Sequence, residues 1–228
     1  MRTMRLSPVS DPATDLAEIA RLELNYDPST TSGTGWHHDR LRHTLATEAP
    51  GPPTPGGAWE IACALVHDYE FADRWIMSAL FHGDAPLKGR DMLLEGRFVV
   101  LRFPMGVRVD TVVDETRARA DGTEERVWGW SYQTLGRHLE RGRLVYEVVK
   151  NTTTGRVEFV ITGVSSRASI PNPVIALGFL VFGRYTQRRF YRAVAAKLEE
   201  RVRDVLAGQP RPTPAHVGPG DIVRAPSA

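Results

Sequence analysis

The sequence predicts an α+β domain in which a curved antiparallel sheet grips one long C-terminal helix. Three observations carry this expectation. The middle of the 228-residue chain holds repeated runs of β-branched and aromatic residues separated by turn chemistry. The stretch from Pro173 to Leu206 switches to the helical period. An amphipathic helix that follows a run of antiparallel strands buries its apolar stripe by lying on one face of their sheet.

The elements follow in order. Residues 1–12 read as a flexible N-terminal tail and 13–207 as a single domain. Ala13 to Leu24 carries a weak helical stripe of Leu16, Ile19 and Ala20. Asn25 to Gly35 is turn chemistry, and Trp36 to Glu48 reads as extended chain before a Pro/Gly run from Ala49 to Gly57. Trp59 to Phe81 repeats apolar residues near the helical period, as one helix or as two split near Asp68. Strands are expected at Glu95–Phe103 and Val107–Val113, parted by Pro104-Met105-Gly106. Glu125 to Gln133 alternates, which puts Trp128, Trp130 and Tyr132 on one face. Leu144–Val149 and Val157–Ser165 form a hairpin across Asn151-Thr152-Thr153-Thr154-Gly155. In the long helix Tyr191, Val194, Leu198, Val202 and Val205 share one face, with Arg192, Lys197, Glu199, Glu200, Arg201 and Arg203 on the other. Residues 208–228, rich in Pro and Gly, read as a disordered C-terminal tail.

Composition narrows the functional classes. With 42% hydrophobic and 25% charged residues the chain is an ordinary globular sequence. A net charge of +2 without a clustered basic face gives no footprint for nucleic acid. The lone Cys63 leaves no intrachain disulfide and, inside Ile61-Ala62-Cys63-Ala64-Leu65, reads as a core residue. No apolar stretch approaches the ~20 residues of a membrane span, so stable membrane insertion is not expected. Residues 1–11 lack the apolar core of a secretory signal, and a cytoplasmic location follows by default. Gly-rich phosphate loops, a GxSxG elbow and a dinucleotide fingerprint are all missing, so no cofactor is expected. A sheet wrapped on a helix encloses a cleft suited to a hydrophobic small molecule. Nothing in the sequence sets an oligomeric state.

Several residue sets could carry chemistry in such a cleft. His37, His38, Asp39 and His43 form the densest cluster; they fit a hydrogen-bonded group that pins the N-terminal segment, a pocket acid/base, or a metal set of His37, Asp39 and His43. Tyr132, Thr134, His138 and Glu140 lie at a strand end and its loop, where a His beside a carboxylate can act as base and a Tyr can donate a proton. Glu147 and Glu158 stand in apolar strands whose two faces are alike, so their orientation is open. Trp128 and Trp130 either wall the cleft or pack beneath the helix. Arg184, Arg188, Arg189 and Arg192 follow an apolar run and form either a solvated helix face or a membrane-touching one, and Arg167 could pair with an anionic ligand group.

One family resemblance runs through these residues. Leu24-Asn25-Tyr26-Asp27, Gly33-Thr34-Gly35-Trp36-His37-His38-Asp39-Arg40, Val112-Val113-Asp114-Glu115, Trp128-Gly129-Trp130-Ser131-Tyr132-Gln133-Thr134-Leu135, His138 with Glu140, and Ser165-Ser166-Arg167 together resemble the family called domain of unknown function nineteen-ninety, over roughly Leu24 to Val205. The resemblance implies a layout like that of START, Bet v 1 and polyketide-cyclase-like helix-grip proteins. The chain departs from the family at Gly142-Arg143-Leu144, where Gly-Glu-Glu is expected, and at Gly136-Arg137, where Pro-Gly is expected. The combined expectation is a small-molecule pocket protein. It leans to a cofactor-free cyclase, isomerase or dehydratase acting on a hydrophobic or polyketide-like substrate in specialised metabolism. Tyr26, His37, His38, Tyr132, His138 and Glu147 would be its acid/base residues, and Trp128, Trp130, Thr134 and Arg167 its ligand contacts. The alternative is a non-catalytic carrier of a lipid or other hydrophobic ligand.

Overall fold

A computed structural model describes residues 11–98, 101–136, 138, 140–168, 173–217 and 220–227, with side chains described outside 97–98, 101–103 and 173–188. The expected tail at 1–12 therefore lies outside the described residues except at 11 and 12. Helix α1 (Pro12–Ile19) begins under an Asp11 cap, whose carboxylate accepts from the Ala13 amide, with Pro12 at the first helical position. Strand β1 (His37–Thr47) precedes α2 (Ala58–His67). A meander follows: β2 (Met77–His82), β3 (Asp91–Phe98), β4 (Leu101–Ala118), β5 (Glu124–Thr134), β6 (Glu140–Asn151) and β7 (Arg156–Arg167). The long helix α3 (Pro173–Leu206) and two short strands, β8 (Ala215–His216) and β9 (Ile222–Ala225), complete the chain.

The strands form one antiparallel sheet in the order β1-β7-β6-β5-β4-β3-β2-β9-β8. Period-two alternation divides it cleanly. Val107 and Val109, Trp130 and Tyr132, Leu144, Tyr146 and Val148, and Val157, Phe159 and Ile161 face the main core beneath α2 and α3. α3 adds Phe190, Tyr191, Val194, Leu198 and Val202 to that core, the apolar stripe expected of it. On the opposite face α1 sets Leu16 and Ile19 against Leu80, Leu93, Leu135 and Ile222.

Three expectations are corrected. The apolar run to Phe81 is not helical throughout: α2 stops at His67, and 77–82 is strand β2. Because α1 covers its second face, β2 is buried on both sides, and a strand buried twice reads as a continuous apolar run. Pro104-Met105-Gly106 does not separate two strands; it lies inside β4, where Pro104 pairs with Glu95, in a ladder that runs on to Phe98 opposite Leu101. Residues 208–228 are not a patternless tail: β9 adds to the open edge of β2, and Arg224 pairs with the buried Glu95. Ser227 donates through its amide (2.9 Å) and hydroxyl (3.2 Å) to Glu70, which also receives Arg201 of α3 at 2.5 Å.

Candidate functional site

The covered face of the sheet carries a compact set of aromatic rings. Tyr146 of β6 stands at its centre, with ring centroids 4.8 Å from Phe71, 5.2 Å from Trp130, 6.0 Å from Tyr132 and 5.9 Å from Phe159. Tyr69 adds itself at 4.8 Å from Phe71 and 6.3 Å from Trp130. Trp130 donates its indole N–H to the Val66 carbonyl at 3.1 Å, which ties the end of α2 to β5. From above, α3 sets the Tyr191 hydroxyl over Gly163: a Cβ at that glycine would lie 2.5 Å from the phenol oxygen. Four of the chain's six tyrosines, Tyr69, Tyr132, Tyr146 and Tyr191, thus gather under the helix.

Their hydroxyls are not all satisfied. Tyr69 and Tyr146 are 1% and 0% exposed, and neither hydroxyl meets good hydrogen-bond geometry, although that of Tyr146 interacts with the neighbouring hydroxyls of Tyr69 and Tyr132. A buried hydroxyl without a partner costs about 1–3 kcal/mol, so such groups ask for an explanation. Burial pushes the ionisation of Tyr69, Tyr132 and Tyr146 well up, and for Tyr132 and Tyr146 the neighbouring phenols push it further, so all three stay protonated donors.

The Tyr69 backbone is also unusual. After α2 the Tyr69 amide donates to Val66 (3.3 Å) and the Glu70 amide to Leu65 (2.8 Å), the paired bonds of a helix-ending motif that normally places glycine at this point. Tyr69 takes the left-handed conformation itself, at φ 59, and no other described non-glycine residue has positive φ. For a bulky side chain this costs on the order of 1–3 kcal/mol. A ring in place of glycine is maintained there against the preference of its own backbone.

The expected acid/base residues do not converge. His37 and His38 are exposed on β1. His43 binds Glu199 of α3 at 2.7 Å, and His37, Asp39 and His43, the metal set the spacing allows, do not gather to ligating distance among the described residues. Tyr26 is half-buried away from the phenols, donating to Gln133 Oε1 at 3.0 Å and packing on Trp36, with burial raising its ionisation to about 12. His138 is lowered to about 4 by burial, and its Nδ1 lies 2.9 Å from the carbonyl oxygen and 3.0 Å from the amide of Glu140. Glu147 and Glu158 occupy the face opposite the phenols, paired with Arg117 (2.8 Å) and Arg42 (2.7 Å). Of the six, Tyr132 alone lies in the ring cluster.

Among the expected ligand contacts, Trp130 lies in the cluster and Trp128 at its border, 6.2 Å from the His67 ring. Thr134 is engaged elsewhere: its hydroxyl donates to Asn25 Oδ1 at 2.6 Å and accepts from the Gly142 amide at 2.9 Å. Arg167 is exposed, opposite Glu140 in the β6–β7 ladder. Arg189 and Arg192 are exposed on α3, while the side chains of Arg184 and Arg188 lie outside those described. Among the described residues no helix is long and apolar enough to cross a membrane. Burial pushes the Cys63 thiol up, consistent with a packing residue.

Sequence reasoning missed Tyr69, Tyr146 and Tyr191. The available signal was the alternation Leu144-Tyr146-Val148 beside Trp128-Trp130-Tyr132, which places Tyr146 directly opposite Trp130 once β5 and β6 pair.

No curated protein matches the chain in sequence. Ara h 8.0201 is structurally similar at 10% identity and TM-score 0.44, covering 75% of this chain and 99% of its own. Human STARD10 is similar at 11% identity and TM-score 0.37, covering 92% of this chain and 88% of its own. The family model described as Domain of unknown function (DUF1990) matches residues 23–197, and the chain belongs to that family.

Proposed function

We propose that this protein binds an apolar small molecule between the aromatic face of its sheet and α3, without transforming it. The carrying observation is the pair of buried hydroxyls on Tyr69 and Tyr146, neither in good hydrogen-bond geometry, set among Phe71, Trp130 and Phe159. Apolar walls with a few placed polar groups are the usual makeup of a small-molecule site. The rings lie buried beneath α2 and α3. The carrier reading stands ahead of the enzyme because the side chains suited to proton transfer are dispersed over the end and both faces of the sheet. A cofactor-independent isomerase, cyclase or dehydratase keeps one point of support, the buried Tyr132 as a proton donor among the rings.

Native mass spectrometry of gently purified protein, followed by denaturing extraction, tests the proposal. A stoichiometric apolar organic molecule, released unchanged after prolonged incubation, is the expected result. A molecule that the protein converts during incubation would replace the carrier with the enzyme. Protein that is empty and takes up no apolar compound from a mixed extract would refute both.

A further inference from the structure

We infer that the site selects a neutral ligand whose carbonyl oxygen accepts hydrogen bonds from the Tyr69 and Tyr146 hydroxyls together. This rests on the proposed binding function and specifies its chemistry. Both hydroxyls are buried and close enough to interact with each other, and neither has a partner of good hydrogen-bond geometry. Their rings pack against the shared neighbours Phe71 and Trp130, at 4.8 Å and 6.3 Å for Tyr69 and at 4.8 Å and 5.2 Å for Tyr146. A carbonyl oxygen has two lone pairs and no proton, so it can accept from two phenols without adding a donor that needs a partner of its own.

Charge argues against an anionic ligand. The buried cations among the described residues are Arg90, Lys150 and Arg201. Arg90 lies over the Phe81 ring and donates to the Ala85 carbonyl. Lys150 is held by Glu48 at 2.6 Å and the Pro52 carbonyl at 2.8 Å, and Arg201 by Glu70 at 2.5 Å. Among the described residues no buried cation is left to meet a carboxylate at the phenols, and burying one without a counter-charge costs far more than burying a hydrogen-bonded carbonyl. A pure hydrocarbon would leave both hydroxyls unsatisfied.

Equilibrium dialysis of the full chain against 2-acetonaphthone, 2-ethylnaphthalene and 2-naphthoate near neutral pH tests this. The three probes share one ring system and differ in the polar group. The ketone is expected to bind roughly tenfold more tightly than the hydrocarbon, the return expected of one or two neutral hydrogen bonds. It is also expected to bind more tightly than the carboxylate. In the Tyr69→Phe/Tyr146→Phe double variant the ketone and the hydrocarbon should bind alike. Equal binding of ketone and hydrocarbon to the wild type, tightest binding of the naphthoate, or a ketone preference that survives in the double variant would each overturn the inference while leaving a binding protein. Retention of none of the three would overturn the binding function itself.

Discussion

Tyr146→Phe removes one oxygen from the centre of the ring cluster and leaves the ring in place. That oxygen is fully buried, and its interactions with the Tyr69 and Tyr132 hydroxyls do not reach good hydrogen-bond geometry, so in ligand-free protein its desolvation is poorly compensated. The penalty lifted is about 1–3 kcal/mol. The vacated space, roughly 10 Å³, returns only about 0.2–0.3 kcal/mol of cavity cost at ~24 cal/mol per Å³. The ligand-free variant should therefore be more stable than wild type by about 1 kcal/mol, an increase in Tm of roughly 2–4 °C for a chain of this size. Urea unfolding of stripped protein checks the value, with an unchanged m-value confirming that the unfolded state is unaltered. A loss of about 1 kcal/mol or more would refute the reasoning, because it would mean that the Tyr146 hydroxyl is bonded in the native state. Adding Tyr69→Phe locates such a bond: independent hydroxyls give additive gains, and a shared bond appears as coupling between the two changes.

Other perturbations test the frame around the site. Glu48→Gln leaves Lys150, 0% exposed in its side chain, without its counter-charge, and should cost about 3–5 kcal/mol in thermal unfolding, most of it recovered in Glu48→Gln/Lys150→Met. Burial pushes the Glu48 carboxyl up, but hydrogen bonds from Lys150, Trp59 and Thr54 outweigh it and hold the group below its ordinary value. Its stabilisation should therefore be complete above the unfolded carboxylate range and fade as pH falls through the folded pKa, a dependence that vanishes in the double variant. Ending the chain at Gly208 strips Arg224 from the buried Glu95 and β9 from β2, and should lower Tm and produce concentration-dependent association by light scattering; a monomer of unchanged Tm would show that 209–228 are dispensable. Burial lowers His138 to about 4, so between the unfolded value near 6.5 and that pH the unfolded chain holds a proton that the folded chain lacks. Stability should fall across that window by at most ~3 kcal/mol, and less in His138→Gln; an imidazole proton resonance for His138 that titrates near 6.5 would contradict this.

How much of this was legible in the sequence depended on whether the signal was local. The β6–β7 hairpin and α3 each carry their pattern within one segment, and both stand where the periodicity puts them. β2 and β9 do not. β2 looks helical until α1 is known to lie on its second face. β9 is four residues long, and what fastens it there, Glu95 to Arg224 and Glu70 to Ser227, spans more than a hundred positions. The site followed the same rule. Trp130 and Tyr132 were found by alternation within β5, whereas Tyr69, Tyr146 and Tyr191 come from three other segments and become a group only when sheet and helix close. His37 and His38 are adjacent in sequence, yet both are exposed on β1.

The residues that carry the family resemblance divide into two physical roles. Asn25 joins β5 and β6 at one end of the sheet: its amide donates to the Thr134 carbonyl at 3.2 Å, its side chain donates to Glu140 O at 2.9 Å, and its Oδ1 accepts from the Thr134 hydroxyl. Tyr26, Gln133 and the His138–Glu140 loop extend that lock, which accounts for their types without invoking chemistry. Trp130 and Tyr132, from the same stretch, instead turn inward to the phenols. The departure at Arg143 falls on the outward side, where its guanidinium donates to Ser131 Oγ at 2.9 Å and to Thr111 Oγ1 at 3.2 Å, with Asp110 at 3.6 Å. Asp110 is placed there by the bulge between Val109 and Thr111, which offers a carboxylate to the arginine. The exchange of charge at this position is therefore answered locally on the outer face, and the neutral, donor-rich chemistry beneath α3 does not depend on it.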